Sequence, residues 1–310
     1  IGDNVKYSVV QLMHPGIEYP DLDEKGNLKY SKPGIEWSHD KKSGTRLWNN
    51  REHKRKFMRM NGVKYLDAKK RPNKGEVTFW GEWEAQSSFD VISKTNKNHD
   101  KPRLCHKPFY DSSYSGEKTN GTDPFIFGDH FWFTHCKQKG NHKIRGLGED
   151  SIVIFGSARV PGKMFLVDTI FVVKKRFSQT EIRENIEEYD DLLRKNNLEL
   201  KDLVRNESKS EYGFYQGKSY KKNEIFSFVP AKVLDDKSIG HGRLELDKTK
   251  ERYYLHKKGS RQICSIIKTF DNKKDLKNYW DLLVDETLNN GFVLAYDFPM
   301  PEIRETNKHG

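Results

Sequence analysis

The chain of 310 residues contains only three cysteines, Cys105, Cys136 and Cys264, and no CxxC pair. Such a sparse, odd set fits reduced thiols in a cytosol better than a disulfide framework. No apolar run approaches the roughly 20 residues that cross a bilayer. The first residues also lack a basic region followed by an apolar core and a cleavage site. We therefore expect a cytoplasmic protein without a membrane partner.

Several catalytic signatures are missing as well. The chain has no Walker A loop, no G-x-G-x-x-G after a strand, no H-E-x-x-H and no G-x-S-x-G. Their absence disfavours the common nucleoside triphosphatase, dehydrogenase, zinc protease and serine hydrolase classes. The sequence predicts no particular cofactor.

The residues that are present indicate a globular, strongly basic protein. Hydrophobic residues make up 34%, aromatic residues 12% and charged residues 33% of the chain, which fits a sizeable core under a solvated surface. The net charge is +11, and residues 46–74 contain eleven lysines and arginines but only two acids. Such a basic segment is typical of a nucleic-acid or nucleotide partner, although a solvated basic face without a partner is the alternative.

The pattern along the chain predicts mostly short strands with a few helices. We expect strands at 7–12, 76–84, 130–137, 151–157 and 165–173, and a β-rich region at 212–270. Helices are expected at 45–60, 178–196 and 273–290, and long insertions at 20–44 and 88–124. Strands and helices do not alternate, so we predict an α+β fold with a mostly antiparallel or mixed sheet, or a small barrel, a few packed helices and long insertions.

The predicted domains are a main part and a smaller one. Residues 1–200 form an α+β domain with the basic helix and a barrel-like core, and residues 205–310 form a smaller β-rich part with the C-terminal helix, packed on the first. The boundary is placed at 197–211. The helix at 178–196 is rich in acidic residues, so it is a candidate docking surface for a basic protein partner.

The predicted basic helix at 45–60 supplies one group of candidate site residues. Helical spacing places His53 between the core and the basic surface, where neighbouring cations would keep it neutral and available as an acid or base. A core-edge histidine bonded to a backbone carbonyl is the alternative. The residues expected to contact a nucleic acid here are Asn49, Arg55, Lys56 and Arg59.

The stretch FWGEWE at 79–84 supplies a second group. Strand alternation places Glu82 and Glu84 on one face about 7 Å apart, a separation at which two carboxylates can hold a metal, share a proton or orient a base. On a solvated face they would be only edge charges. Trp80 lies beside them as a candidate stacking platform, and His14, in a His-Pro-Gly corner, is a further candidate.

The stretch GDHFWFTHCKQ at 128–138 resembles a metal site at first sight. Alternation places His135 and Cys136 on opposite faces of a strand, so both cannot bind one metal without a bulge, and we predict no metal site. The remaining prediction is a core strand that directs Lys137 or Gln138 toward a pocket, with Trp132 on the same face as Gln138.

Two further features are ambiguous in the sequence. Residues 211–231 interleave aromatic residues with lysines, which suits base stacking and phosphate binding but also an ordinary hairpin core, so the roles of Tyr215 and Lys218 stay open. Asp168 lies on an apolar face of its strand, where a buried carboxylate needs a partner and is either a structural hub or a site residue.

Several motifs together resemble an uncharacterised bacterial family of hypothetical proteins. They include HPG at 14–16, WN at 48–49, HKRKF at 53–57, FWGEWE at 79–84, TDPFIFG at 122–128, CKQ at 136–138 and SFVP at 227–230. An aromatic strand followed by GDxFWF more loosely resembles the PUA-like superfamily, including its EVE and ASCH members. That resemblance implies a small barrel that reads modified bases or nucleotides, and it carries no catalytic residue over.

Two functional hypotheses follow. In the first, the protein binds a nucleic acid or nucleotide through residues 46–74 and an aromatic pocket around Trp80, Trp132 or Tyr215, with bacterial anti-phage defence or DNA modification as the setting by analogy. In the second, it is a nuclease or a nucleotidyl or glycosyl transferase. There His53 or His14 would be the acid or base, Glu82 and Glu84 would bind a metal or act as the base, and Lys137 and Arg55 would stabilise negative charge.

Overall fold

The computed structural model describes most of the chain in twelve ranges. They are residues 6–13, 23–25, 27–36, 55–83, 85–93, 102–111, 122–134, 142–158, 162–184, 213–234, 240–256 and 264–305. Within these ranges no helix is long and apolar enough to cross a membrane.

Fifteen strands and two α-helices lie within the described ranges. The strands of the first half are β1 (Tyr7–Met13), β2 (Gly34–Glu36), β3 (Arg55–Leu66), β4 (Pro72–Glu82), β5 (Ser87–Val91), β6 (Leu104–Asp111), β7 (Trp132–Phe133) and β8 (Ile152–Ala158). Those of the second half are β9 (Met164–Ser178), β10 (Gly213–Gly217), β11 (Val229–Val233), β12 (Leu244–Asp247), β13 (Cys264–Phe270), β14 (Val293–Asp297) and β15 (Glu302–Arg304). The helices are α1 (Gln179–Glu184) and α2 (Lys273–Asn289).

The strands form two mixed sheets. The first sheet has the order β13-β1-β8-β9-β10-β7, with β12 also paired to β9. The second has the order β14-β11-β4-β3-β6-β5-β2, with β15 paired to β6. Because β14 pairs with both β11 and β3, the four strands β3, β4, β11 and β14 close into a barrel-like ring. The predicted α+β fold with a mixed or barrel-like sheet and few helices is confirmed.

Strands from both sides of the predicted domain boundary pair within each sheet. In the second sheet β11 and β14 complete the ring with β3 and β4, and in the first sheet β10, β12 and β13 pair with β9 and β1. The C-terminal part therefore supplies strands to both sheets of the N-terminal part. The boundary residues themselves lie outside the described ranges.

The helix predicted at 45–60 is wrong where the structure describes it, because Arg55–Met60 begin the long strand β3. Phe57 packs against Trp80 on one face of this strand, whereas Met58 packs into the main core on the other. Burial on both faces hides the two-residue alternation of a strand and imitates a helical spacing. Asn61-Gly62, directly after the predicted helix, form a bulge within the strand, where Gly62 has φ +77°.

Three helix ends that the structure describes have ordinary capping residues. Ser178 Oγ accepts a hydrogen bond from the amide of Glu181 at 3.0 Å, and the carboxylate of Glu181 accepts one from the amide of Ser178 at 3.4 Å. α2 begins after Asn272, whose side chain accepts from the amide of Asp275 at 2.9 Å, and Gly291 follows its end with φ +73°. The predicted helix at 273–290 is confirmed; the acidic helix is described only as far as Glu184.

Cys105 lies in a small apolar cluster with Phe57 and Trp80, and burial raises the pKa of its thiol to about 11. At pH 8 only about one thiol in a thousand would be ionised. We expect iodoacetamide to leave Cys105 unmodified in the native protein and to alkylate it fully in denaturant. Peptide mass spectrometry of both samples measures this, and equal rates of modification in the two states would contradict it.

Candidate functional site

Four charged side chains meet between the two sheets and form the inter-sheet charge cluster, Arg55, Glu82, Asp168 and Arg243. Arg55 Nε lies 3.2 Å from one carboxylate oxygen of Asp168, and Arg55 Nη1 lies 3.7 Å from Glu82 Oε2. Arg243 Nη2 donates to the other oxygen of Asp168 at 2.5 Å. The side chains of Arg55, Glu82 and Asp168 are fully buried, and that of Arg243 is 7% exposed.

Local strand geometry places each member of this cluster. Arg55 and Glu82 are opposite each other in the β3–β4 pair. Asp168 is the extra residue of a bulge in β9, because Phe155 of β8 pairs with Thr169 and Gly156 pairs with Val167. A Cβ atom on Gly156 would lie 2.1 Å from the carbonyl oxygen of Leu166, so only glycine allows the two backbones this approach.

Among the described residues, the inter-sheet charge cluster contains two guanidinium groups and two carboxylates. Burial lowers the pKa of Arg243, while the charge and hydrogen bond of Asp168 act in the opposite direction. The guanidinium of Arg243 also lies 5.2 Å from the centre of the Trp80 ring. Arg55 and Glu82 therefore pair with partners inside the protein. The nucleic-acid contact predicted for Arg55 is corrected accordingly, because its side chain is buried.

A second buried polar group joins Lys56, which follows Arg55 on β3 and lies on its opposite face, to side chains of β5 and β6. Lys56 Nζ is 3.4 Å from Ser87 Oγ, and Ser87 Oγ is 2.9 Å from His106 Nδ1. A hydroxyl bonded to an imidazole is the arrangement of an activated nucleophile. Ser87 has no exposed surface, however, and Lys56 and His106 are 2% exposed, so solvent does not reach this group. The exposed position predicted for Lys56 is corrected accordingly.

The other predicted phosphate-binding cations also have acidic partners. Arg59 lies 3.4 Å from Glu76 and 3.2 Å from Asp90. Lys218 is 3.1 Å from Glu149 and donates a short hydrogen bond to Asp150.

Burial raises the pKa of Asp150, but hydrogen bonds from Lys218 and Lys273 outweigh it and hold that pKa below its ordinary value. Lys218 therefore forms an ion-paired network with these groups, and its predicted nucleic-acid contact stays a prediction.

The three aromatic residues predicted as alternative centres of a base-binding pocket lie in two different apolar clusters. Trp80 lies with Phe57, whereas Trp132 and Tyr215 lie in the main core. The hydroxyl of Tyr215 donates to the carbonyl of Ile144 at 2.6 Å and accepts from the amide of Leu147 at 3.2 Å. All three rings are buried in the structure, and the base-binding roles predicted for them stay predictions.

The remaining predicted site residues lie outside the described residues. They are the catalytic candidates His14, His53, Glu84 and Lys137 and the binding candidates Asn49 and Gln138. Among the residues that are described, no three His, Cys, Asp or Glu side chains come together as a metal-binding group.

An open groove of about 530 Å³ lies where β13 meets α2, and we refer to it as the β13–α2 groove. Tyr254, Phe270 and Tyr279 form its aromatic walls, with ring centres 5.8 to 6.4 Å apart. Its cations are Arg252 and Lys268. The volume is in the range of small-molecule sites, which combine aromatic walls with a few polar groups.

Lys268 is the unusual cation of this groove. Its Nζ lies 4.8 Å from the centre of the Tyr254 ring and 5.5 Å from that of Phe270. Residues two apart on a strand share a face, which explains why Lys268 and Phe270 meet at the groove. Within the described residues no carboxylate pairs with Lys268, whereas Arg252 donates to Glu286 at 2.7 Å. Lys268 therefore presents a positive charge between two aromatic rings.

Tyr254 is held in a costly conformation at the edge of the groove. It follows a short 3-10 turn, Glu251–Tyr253, with φ 55° and ψ 12°, in the left-handed region. A bulky residue rarely adopts these angles, which cost about 1–3 kcal/mol and are concentrated at functional sites. The side chain is nevertheless 42% exposed. An exposed aromatic ring in a strained position suits contact with a ligand better than a role in the core.

The polar rim of the groove can accept and donate hydrogen bonds. Asp271, Asn272, Asp275 and Asn278 line it around the start of α2. Asn272 caps the helix and donates from Nδ2 to Asp275 at 2.8 Å, so these two have structural roles. Asp271 and Asn278 provide a carboxylate and an amide that suit the hydroxyl and amino groups of a ligand.

Sequence reasoning did not find this groove, and it also did not find Arg243. The only local signal was the pair of Lys268 and Phe270 just before a capped helix. Tyr254 contacts Lys268 and Phe270 because β13 lies at the edge of the first sheet. Contacts of this kind depend on tertiary structure and have no local signal in the sequence.

Searches of protein-family models, curated proteins and solved structures each returned no match to this chain. The resemblances to the bacterial family and to PUA-like domains therefore stay predictions.

Proposed function

We propose that the protein is a cytoplasmic nucleotide- or nucleic-acid-binding protein and that the β13–α2 groove holds a base. One observation carries the proposal: the ammonium of Lys268, which has no carboxylate partner among the described residues, lies close to two aromatic rings in an open groove. Aromatic rings stack on any base, and a lysine beside them attracts the phosphate. The net charge of +11 agrees with an anionic partner.

The chemistry of the rim adds to this proposal. A nucleotide has hydroxyl and amino donors as well as a phosphate, and Asp271 and Asn278 accept hydrogen bonds from such donors. A simple polyanion would be repelled by Asp271 and Asp275. The combination of Lys268 with these carboxylates therefore favours a ligand that has both a phosphate and hydrogen-bond donors. Of the two carboxylates in the enzymatic alternative, the structure describes Glu82. Its side chain is buried against Arg55, which disfavours contact with a substrate there.

The proposal predicts that removal of the Tyr254 ring weakens binding. Tyr254→Asn suits the left-handed backbone, so the variant should fold, and loss of one stacked base should raise the Kd about 5- to 150-fold. Lys268→Met should raise the Kd and lower the slope of log K against log salt by about 0.7. Fluorescence anisotropy of a labelled single-stranded oligonucleotide at several salt concentrations measures both effects.

The matched control is Lys221→Met, which removes an exposed lysine that pairs with Glu224 and does not line the groove. Its affinity should equal that of the wild-type protein. Unchanged binding by Tyr254→Asn would overturn the proposal. Binding of a neutral oligosaccharide, lost in Tyr254→Asn, with no nucleotide binding would overturn it in favour of a carbohydrate site, because aromatic and amide groups suit sugars as well.

A further inference from the structure

One face of α2 leads from the β13–α2 groove toward a basic hairpin tip. Asn278 and Leu282 line the groove, and Asp285, three residues further on, lies 3.4 Å from Lys70. Residues spaced by four and then three lie on one stripe of a helix. The groove and the tip of the β3–β4 hairpin, residues 67–74, are therefore neighbours on the same surface.

The hairpin tip is an exposed part of the basic segment. Lys69 and Lys74 are exposed, and no acidic partner for either occurs in the described part of the chain. Lys70 pairs with Asp285, but both side chains are more than half exposed, so this pair is worth little and can be exchanged. Arg71 is different, because two of its nitrogens bind Asp67 at 2.8 and 3.0 Å.

Three acids of α2 beyond the groove have cationic partners. Asp281 accepts from Lys277 at 2.6 Å, and Glu286 accepts from Arg252 at 2.7 Å. With Asp285 held by Lys70, the surface beyond the groove has surplus positive charge from the hairpin lysines. An anionic polymer leaving the groove in this direction would therefore meet cations.

We infer that the ligand is a single-stranded nucleic acid whose backbone runs from the β13–α2 groove along α2 to Lys69, Lys70 and Lys74. The inference rests on the proposed function. A base must be unpaired to stack on Tyr254, because a duplex hides both faces of its bases. Asn278 and Asp285 are seven residues apart, about 10 Å along the helix and about three nucleotide steps at the stacked rise of ~3.4 Å.

Binding as a function of strand length, with matched charge variants, tests the inference. Affinity should rise steeply from a mononucleotide to a strand of about four nucleotides and then only slowly. The variant Lys69→Gln, Lys70→Gln and Lys74→Gln should bind the longer strands about 10- to 100-fold more weakly and reduce the salt slope by about 2. Its affinity for the mononucleotide should be unchanged.

The control with the same loss of charge is Lys163→Gln, Lys174→Gln and Lys222→Gln, three exposed lysines that line neither the groove nor the hairpin tip. Equal affinity of the two triple variants for long strands would overturn the proposed path of the backbone over the hairpin. This holds even if Tyr254→Asn still weakened binding of the mononucleotide. Equal affinity for duplex and single strand would overturn the single-strand assignment. No effect of Tyr254→Asn on any ligand would instead overturn the proposed function.

Discussion

Replacement of Asp168 by alanine should lower the free energy of unfolding by about 3–5 kcal/mol, because two guanidinium groups would then share one described carboxylate inside the protein. Asp168 is the member that touches both Arg55 and Arg243. Its loss removes the carboxylate that both guanidinium groups contact and leaves one more cation than anion in the described cluster, where water cannot solvate it. Urea denaturation followed by tryptophan fluorescence measures the change.

A second variant distinguishes the loss of charge balance from the loss of packing. Arg243→Met alone removes a cation and leaves the carboxylates in excess, so it should also destabilise the protein. The double variant Asp168→Ala and Arg243→Met leaves Arg55 with Glu82, a balanced pair. We expect the double variant to be more stable than Asp168→Ala alone, since the charges again match. If the two losses simply added, the explanation by charge balance would be wrong.

Local chemistry explains which parts of the fold were predictable. The ends of α2 and the start of α1 follow from single capping residues, Asn272, Gly291 and Ser178, whose effect acts over three or four positions. The alternation at 76–84 also divides as predicted, with Phe79 in the main core and Trp80 on the opposite face. Short-range signals of this kind can be recognised from the sequence alone.

Features that depend on distant segments were not predictable. β3 reads as helical because both of its faces are buried, and only its pairing with β4 reveals a strand. The partner of Asp168, Arg243, is 75 positions further along the chain. The candidate site in the structure also differs from the predicted one for this reason. Tyr254, Lys268 and Tyr279 meet only when an edge strand and a helix pack together. A basic segment likewise reveals its charge but not which cations will be buried.

Gly156→Val should destabilise the protein by about 3 kcal/mol or more, because the added side chain would overlap a backbone atom. Its Cβ would lie 2.1 Å from the carbonyl oxygen of Leu166, and the Phe165 ring is 2.8 Å away. The backbone of β8 or β9 must move to relieve this overlap. That movement would open the bulge which directs Asp168 toward Arg55, so the variant should also weaken the inter-sheet charge cluster.

The matched control for this prediction is Gly148→Val, at a position where a Cβ would meet no atom within 4 Å. Chemical denaturation should place this control within about 0.5 kcal/mol of the wild-type protein. Combining Gly156→Val with Asp168→Ala tests whether the bulge and the cluster act together. If they do, the double variant loses less stability than the sum of the single losses, since the second change damages a contact that the first has already weakened. Strict additivity would show that the glycine acts only through packing between β8 and β9.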